Sequence, residues 1–177
     1  MDKISKTAKS YQSGAWVDVI TEPLFLIRDS KVITSFTTGG SGTASNDSHS
    51  YNVNGDDSYN TPLLYVFAQT TYAEEYLAYT PSYNSKITSY STFNLYVEHL
   101  WRNGSKTALI ILQAFVNGAW VSMDGGSMSI ANKSGWNSGT PFTLSGKIPT
   151  NATGVRLFIS AVGWSEISLF ITSLWLE

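Results

Sequence analysis

Short apolar runs alternate with polar, glycine-containing turns along most of the chain, and this period-two pattern predicts β-strands. About ten such runs recur with turn signals between them, which is typical of a β-sandwich or barrel. No fixed-period repeat, coiled-coil heptad or interdomain linker interrupts them. The predicted strands cover residues 15–20, 24–27, 32–36, 63–69, 87–101, 107–116, 119–123, 142–146, 155–161 and 167–177.

Two of these strands indicate how the core is built. Residues 107–116 are apolar at both alternating positions, which predicts a central strand covered on both faces. Residues 87–101 alternate, so one face packs on the core and the other faces solvent or a ligand. The predicted core side carries Phe93, Leu95, Val97 and Trp101, and the opposite side carries Tyr90, Asn94, Tyr96 and Glu98.

The segments between the strands carry turn and loop signals. Residues 37–50 are rich in Gly and Ser, so we expect an exposed, mobile loop there. Residues 71–80 fit a short helix or a strand, and their Tyr and Thr content favours the strand. Residues 124–139 are predicted as a polar loop. Asn117 and Gly118 predict a type I′ hairpin turn, because that turn requires positive φ at both positions.

Length and composition limit the class of protein. The 177 residues fit one β-sandwich domain at residues 15–177, preceded by a short polar arm at residues 1–14. There is no Cys, which excludes disulfides and thiolate metal sites. The net charge of −2 shows no basic excess, so a nucleic-acid partner is not expected. No apolar run reaches about 18 residues, so no membrane insertion is predicted.

The last third of the chain resembles the galactose-binding-like jelly-roll sandwich of carbohydrate-binding modules. The residues that carry the resemblance are Asn117-Gly118-Ala119-Trp120, Ile148-Pro149, Ala152-Thr153, Val155-Arg156-Leu157 and the segment from Phe170 to Leu176. The resemblance implies an all-β, antiparallel jelly-roll β-sandwich. Such domains serve as carbohydrate-binding modules and as accessory or adhesion domains on phage tails and capsids. The acidic calcium-binding loop of many such modules is missing here, so no metal or cofactor is expected.

Catalytic chemistry is sparse in this sequence. Of the two histidines, His49 is predicted in a polar loop. His99 is predicted in a structural, hydrogen-bonded position on the core side of a strand. Adjacent carboxylates such as Glu74 and Glu75 point to opposite faces of a strand, so they are not preset for glycoside hydrolysis. The oxygen-rich segment 52–60 fails the EF-hand spacing and is predicted as a turn.

Aromatic residues are the most informative feature, with six Trp, ten Tyr and eight Phe. Trp and Tyr present flat, amphipathic surfaces that suit the C–H face of a sugar ring. Trp16, Trp101, Trp120 and Trp175 lie within strand patterns and are predicted in the core. Aromatic residues in polar segments, with two polar neighbours, are the predicted carbohydrate-binding residues: Trp136, Trp164, Tyr51, Tyr59, Asn137 and Asp124.

These features predict a non-catalytic carbohydrate-binding or adhesion β-sandwich, as an accessory protein of a bacteriophage virion. Its partners would be a cell-surface polysaccharide, other virion proteins and further copies of itself. The N-terminus lacks the apolar segment of a secretory signal, so we expect cytoplasmic synthesis followed by assembly into the virion. An extracellular module of a larger protein is the alternative location.

Two other functions fit the same sequence. One is a structural virion protein, such as a capsid decoration, head fibre or baseplate component, that acts through protein interfaces. The other is an enzyme whose carboxylates or histidines converge only in the fold.

Overall fold

The computed structural model describes residues 7–12, 15–20, 22–43, 47–52, 61–69, 71–81, 87, 89–104, 106–131, 136–137 and 141–177, with the backbone alone for 7–12, 15–20 and 136–137. All regular structure in these residues is β. The strands are β1 (Thr7–Gln12), β2 (Ala15–Ile20), β3 (Leu24–Arg28), β4 (Lys31–Val32), β5 (Thr37–Gly42), β6 (Ser48–Asn52), β7 (Leu63–Ala68), β8 (Tyr72–Tyr79), β9 (Thr92–Gly104), β10 (Ala108–Val116), β11 (Ala119–Ile130), β12 (Trp136–Asn137), β13 (Phe142–Lys147), β14 (Gly154–Val162) and β15 (Ser165–Leu176).

Thirteen of the described strands form one continuous antiparallel sheet that folds over on itself. Its first half, sheet I, has the order β4-β3-β15-β9-β13, with β7 also paired to β15, β6 to β7 and β12 to β9. Its second half, sheet II, has the order β11-β10-β14-β8-β5. The two halves join where Asp124 of β11 pairs with Lys147 of β13.

The core lies between the two sheets. Leu64 and Leu169 of sheet I and Ile110 and Leu157 of sheet II are each 0% exposed and belong to one hydrophobic cluster. Strands β7, β10 and β14 each contribute every second residue to this cluster, which is the burial pattern of a sandwich. The predicted all-β, antiparallel β-sandwich is therefore confirmed.

The N-terminal strands form a sheet of their own. Residues Ala15–Ile20 form a strand as predicted, but this strand pairs with β1, Thr7–Gln12, in a two-stranded antiparallel sheet. A strand thus lies on each side of the predicted boundary between residues 14 and 15. The boundary itself stays a prediction.

The prediction of a mobile loop at residues 37–50 is wrong, because this segment contains β5 and the first residues of β6. The glycines that indicated a loop instead allow close pairing with β8. A Cβ on Gly40 would lie 2.2 Å from the carbonyl oxygen of Glu74, and one on Gly39 would lie 2.6 Å from the hydroxyl of Tyr76. Glycine in a strand often marks such an approach of backbone or side chain.

Other boundaries differ in smaller ways. The ambiguous segment 71–80 is a strand, β8, as preferred, whereas the predicted strand 32–36 is reduced to the end of β4. The predicted loop 124–139 begins inside a strand, since β11 continues to Ile130. The hairpin turn is confirmed, with φ of 52° at Asn117 and 84° at Gly118.

A β-bulge in β9 changes which residues reach the core. Val97 pairs with Ile171 but His99 pairs with Phe170, so Glu98 is an extra residue in the ladder. Beyond the bulge, Leu100 and Arg102 are buried on the core side. The prediction that Trp101 and His99 share the core side with Phe93 is therefore wrong, and both lie on the opposite side of β9.

Candidate functional site

The outward face of sheet II combines aromatic and polar side chains. Alternate residues of its strands point into the core, so the residues between them form the opposite surface. We call this surface the Arg156 face, and it comprises Tyr72, Glu74 and Tyr76 of β8, Gln113 and Phe115 of β10, Trp120 of β11, and Arg156, Phe158 and Ser160 of β14.

Strand pairing places these residues side by side. Gln113 lies opposite Arg156, and Phe158 lies opposite Tyr76. Side chains that are directly opposite on one face of an antiparallel pair are close enough to interact. The face therefore forms one connected surface across four strands, although its members are far apart along the chain.

Arg156 is the centre of this surface. Its Nε donates a 2.6 Å hydrogen bond to Oε1 of Gln113. Its guanidinium carbon lies 4.6 Å from the ring centroid of Trp120, 5.0 Å from that of Phe158 and 5.1 Å from that of Tyr76. These distances fall within cation–π range. The three rings and Gln113 hold the charged group in a fixed position.

Trp120 extends the aromatic surface towards the hairpin turn. It lies opposite Phe115, and the centroids of the two rings are 5.0 Å apart with a tilt of 54°. The prediction that Trp120 packs in the core is wrong, because its ring lies half-buried on the outward face beneath Arg156. It thus presents one aromatic ring to the surface of the domain.

A second polar group lies on β8. The hydroxyl of Tyr72 donates a short hydrogen bond to Oε2 of Glu74. Burial raises the pKa of Tyr72, and the hydrogen bond and charge of Glu74 raise it further, while Ser160 and Arg156 oppose the shift. Tyr72 therefore stays protonated at neutral pH and keeps the Glu74 carboxylate oriented on the outward face.

Trp164, one of the predicted binding residues, lies outside the Arg156 face in the turn between β14 and β15. It is 51% exposed. Arg102, which is fully buried, holds this turn in place. Its guanidinium donates to Ser165 Oγ at 3.2 Å and also to the carbonyl oxygen of Lys106. A Cβ on Gly104 would lie 2.4 Å from the Trp164 carbonyl, so the two turns pack closely.

Tyr51 lies in β6 and not in the predicted polar loop. Its ring meets that of Phe36 edge-on with centroids 5.5 Å apart and packs against the core. Its hydroxyl is buried and forms no hydrogen bond within the described part of the chain. Burial raises the pKa of Tyr51 to about 12.

The remaining predicted residues do not gather with Trp164 or Tyr51 in the described structure. Asp124 is exposed at the junction of the two sheets. The backbone of Trp136 and Asn137 pairs with Trp101 and Leu100 of β9, and their side chains lie outside the description. Tyr59 lies outside the described residues. A binding role for all six predicted residues stays a prediction.

Sequence reasoning missed the main residues of the Arg156 face: Arg156, Gln113, Tyr76, Glu74 and Trp120. In β14 the alternation of the sequence separates Arg156, Phe158 and Ser160 from the apolar residues, and it indicates a mixed polar and aromatic surface on this strand. The sequence does not indicate the strand order β11-β10-β14-β8, and that order alone brings these residues together.

The described residues contain neither a cluster of metal ligands nor a long apolar helix. No cluster of three or more His, Asp or Glu side chains in them could hold a metal ion. None of them belongs to a helix long and apolar enough to cross a membrane.

No protein-family model and no curated protein sequence matches the chain, but solved structures do. The enzymatically active domain of tailspike protein 4 from bacteriophage CBA120 matches 80% of this chain and 19% of its own, with 15% identity and a TM-score of 0.50. The CBM22-1–GH10 modules of xylanase 10B from Clostridium thermocellum match 86% of this chain and 28% of their own, with 10% identity and a TM-score of 0.50.

A third structure matches this chain over its whole length. It contains carbohydrate-binding modules of the β-sandwich superfamily and matches 100% of this chain and 88% of its own, with 10% identity and a TM-score of 0.47. The chain spans only a small part of the tailspike and xylanase chains. At these identities the likeness concerns the fold alone, which is an antiparallel β-sandwich.

Proposed function

We propose that this chain is a non-catalytic carbohydrate-binding β-sandwich whose ligand lies on the Arg156 face. The observation that carries the proposal is the arrangement of Trp120 and Tyr76 around a fixed Arg156 on the outward side of sheet II. Binding sites for small molecules combine apolar and aromatic surface with a few well-placed polar groups. The Arg156 face has both within one surface.

Each part of this face has a role in the proposal. The half-buried rings of Trp120 and Tyr76 offer the aromatic surface that Arg156 leaves uncovered to the C–H face of a sugar. The Arg156 guanidinium donates to hydroxyl or carboxylate oxygens, and the Glu74 carboxylate accepts from hydroxyl groups. Because Gln113 and Tyr72 already orient these two groups, a ligand loses little freedom of protein side chains on binding.

The same surface argues for binding without hydrolysis. Glycosidases use a pair of carboxyl groups about 5–10 Å apart on either side of the scissile bond. Among the described residues of the Arg156 face, Glu74 is the one carboxylate. Its adjacent residue Glu75 is buried on the core side. A pair that could share one glycosidic bond is therefore missing from this described surface.

The proposal is tested by affinity electrophoresis and calorimetry against neutral and acidic polysaccharides. Xylan belongs in the panel because the xylanase modules were solved with xylohexaose. We expect saturable binding by the wild-type protein, weakened about tenfold or more in Trp120→Ala. Trp120→Phe, which keeps a flat ring, should retain most of the affinity.

Trp164→Ala and Trp136→Ala are the matched controls, because they remove a tryptophan from the positions predicted from sequence. If the ligand lies on the Arg156 face, both should bind as the wild type does, and urea unfolding tests whether each variant is folded. Loss of binding in either of them, with Trp120→Ala unaffected, would place the site elsewhere. A wild-type protein that binds no polysaccharide in the panel would overturn the proposal.

We further propose that the chain acts as an adhesion or accessory protein of a phage virion. Low charge, abundant hydroxyl and amide side chains and the absence of Cys support a protein that is made in a reducing compartment and acts outside it. Its partners would then include other virion proteins and copies of itself. Mass spectrometry of purified phage particles tests this location, and native mass of the isolated protein tests the homo-oligomer.

A further inference from the structure

Arg156 has more hydrogen-bonding capacity than its neighbours use. Its Nε is bonded to Gln113, but its terminal nitrogens, Nη1 and Nη2, form no hydrogen bond or ion pair with any described residue. An arginine carries most of its N–H donors on these two nitrogens. The fixed side chain therefore has donors left for a ligand.

The surroundings of Arg156 disfavour its charge, because the effect of burial exceeds the attraction of nearby groups. Burial lowers the pKa of the Arg156 guanidinium, with Glu74, Tyr76 and Tyr72 opposing that shift. Three aromatic rings within about 5 Å replace part of the water that would solvate the cation. A cation in such a place is stabilised when an anion with matching geometry joins it.

The nearest acidic side chain on the face has another partner. Glu74 lies opposite Ser160, whereas Arg156 lies opposite Ala78, which places Glu74 further along the sheet. Its carboxylate accepts the hydrogen bond from the Tyr72 hydroxyl. Glu74 attracts the Arg156 charge, but the two side chains form no ion pair in the described structure.

We propose that Arg156 recognises a carboxylate on a sugar ring, so that the ligand is an acidic polysaccharide that contains uronic acids. This inference rests on the proposed function and names the chemistry of the ligand. A planar guanidinium matches a carboxylate through paired N–H···O bonds. Trp120 and Tyr76 contact the ring that carries the acid, and Glu74 accepts from hydroxyl groups of the same or an adjacent ring.

The test compares acidic polysaccharides with their own neutral derivatives. The probes are polygalacturonate, alginate and hyaluronan, each beside its carboxyl-reduced form, with xylan as a neutral polymer and dextran sulfate as a sulfated one. We expect binding to at least one uronate polymer and loss of that binding after carboxyl reduction. Arg156→Gln should weaken it about ten- to a hundredfold, and Arg156→Lys should weaken it less.

The outcomes separate this inference from the proposed function. Binding of xylan or a reduced polymer that needs Trp120 but not Arg156 would overturn the carboxylate assignment and leave carbohydrate binding intact. Preference for dextran sulfate over every uronate would also overturn it. Failure to bind any polymer would overturn both proposals. Gln113→Ala gives independent support if it weakens uronate binding but leaves urea unfolding unchanged.

Discussion

Nδ1 of His49 lies 2.8 Å from Oε2 of Glu75 and thereby connects β6 of sheet I to β8 of sheet II. The Glu75 side chain is 4% exposed, whereas that of His49 is 33% exposed. The other carboxylate oxygen of Glu75 accepts from the backbone N–H of Tyr76 at 3.2 Å. A polar pair thus bridges the two sheets beside the apolar core.

We expect unequal effects when either member of this pair is removed. His49→Ala leaves a buried carboxylate without its imidazole partner and should lower the free energy of unfolding by about 1–3 kcal/mol. Glu75→Gln keeps an acceptor for Tyr76, and the partly exposed His49 can bond water, so its cost should be smaller. Urea unfolding of both variants and of the double variant measures the coupling. Additive effects would show that the contact contributes nothing.

Glu166 provides a test of stability against pH. Burial raises the pKa of Glu166 above its usual 4.5, while the Tyr65 hydroxyl and the Arg102 charge oppose the shift. When the pKa of a carboxyl group is higher in the folded state than in the unfolded state, its protonation stabilises the fold. This stabilisation is complete below pH 4.5 and is lost as the pH rises through the folded-state pKa. Glu166→Gln should therefore exceed the wild type in stability at pH 7, and the difference should vanish in acid.

Thermal unfolding between pH 3 and pH 8 measures this difference. The Gln side chain still accepts the 3.0 Å hydrogen bond from Tyr65 that Glu166 accepts. Asp29→Asn is the matched control, since the Asp29 side chain is 85% exposed and should change stability little at any pH. A Glu166→Gln protein less stable than wild type at pH 7 would mean that attraction to Arg102 outweighs burial.

Tyr51 allows a test at alkaline pH. Its hydroxyl is buried without a partner among the described residues, and burial raises its pKa from 10.0 to about 12. The stability linked to this group is complete below pH 10 and is lost as the pH rises towards 12. Tyr51→Phe should reduce that alkaline loss and add about 1 kcal/mol to the free energy of unfolding at neutral pH.

Urea unfolding at pH 7 and pH 10.5 checks the effect of Tyr51→Phe, with Tyr65→Phe for comparison because the Tyr65 hydroxyl has Glu166 as a partner. Polysaccharide binding by Tyr51→Phe tests its predicted role in the same samples. Unchanged binding with raised stability supports packing as the role of Tyr51. Lost binding would return Tyr51 to the site.

Local alternation predicted most strands because one face of each strand is buried. It placed Glu74 and Glu75 on opposite faces, and the structure has Glu74 outward and Glu75 buried. It placed His49 in a loop because the polar residues of β6 lack apolar alternation. The strand there is specified by pairing with β7 and by contact with Glu75, and both involve residues distant in sequence.

The remaining differences also come from contacts that sequence spacing does not encode. One extra residue at Glu98 exchanges the two faces of β9, which moves Trp101 outward and buries Arg102. The strand pattern predicts Trp120 in the core, but its neighbour across the hairpin, Phe115, lies on the outward side. The candidate site depends on strand order, and alternation within one strand says nothing about that order.

The position of β15 has a consequence for how the chain is synthesised. It pairs with β3, β7 and β9, and each of these strands precedes it in the sequence. Sheet I therefore lacks its central strand until the ribosome has made residues 165–176. Pairing between distant segments slows folding. Until then the edges of β7 and β9 that pair with β15 stay open, and unpaired edges of this kind favour aggregation.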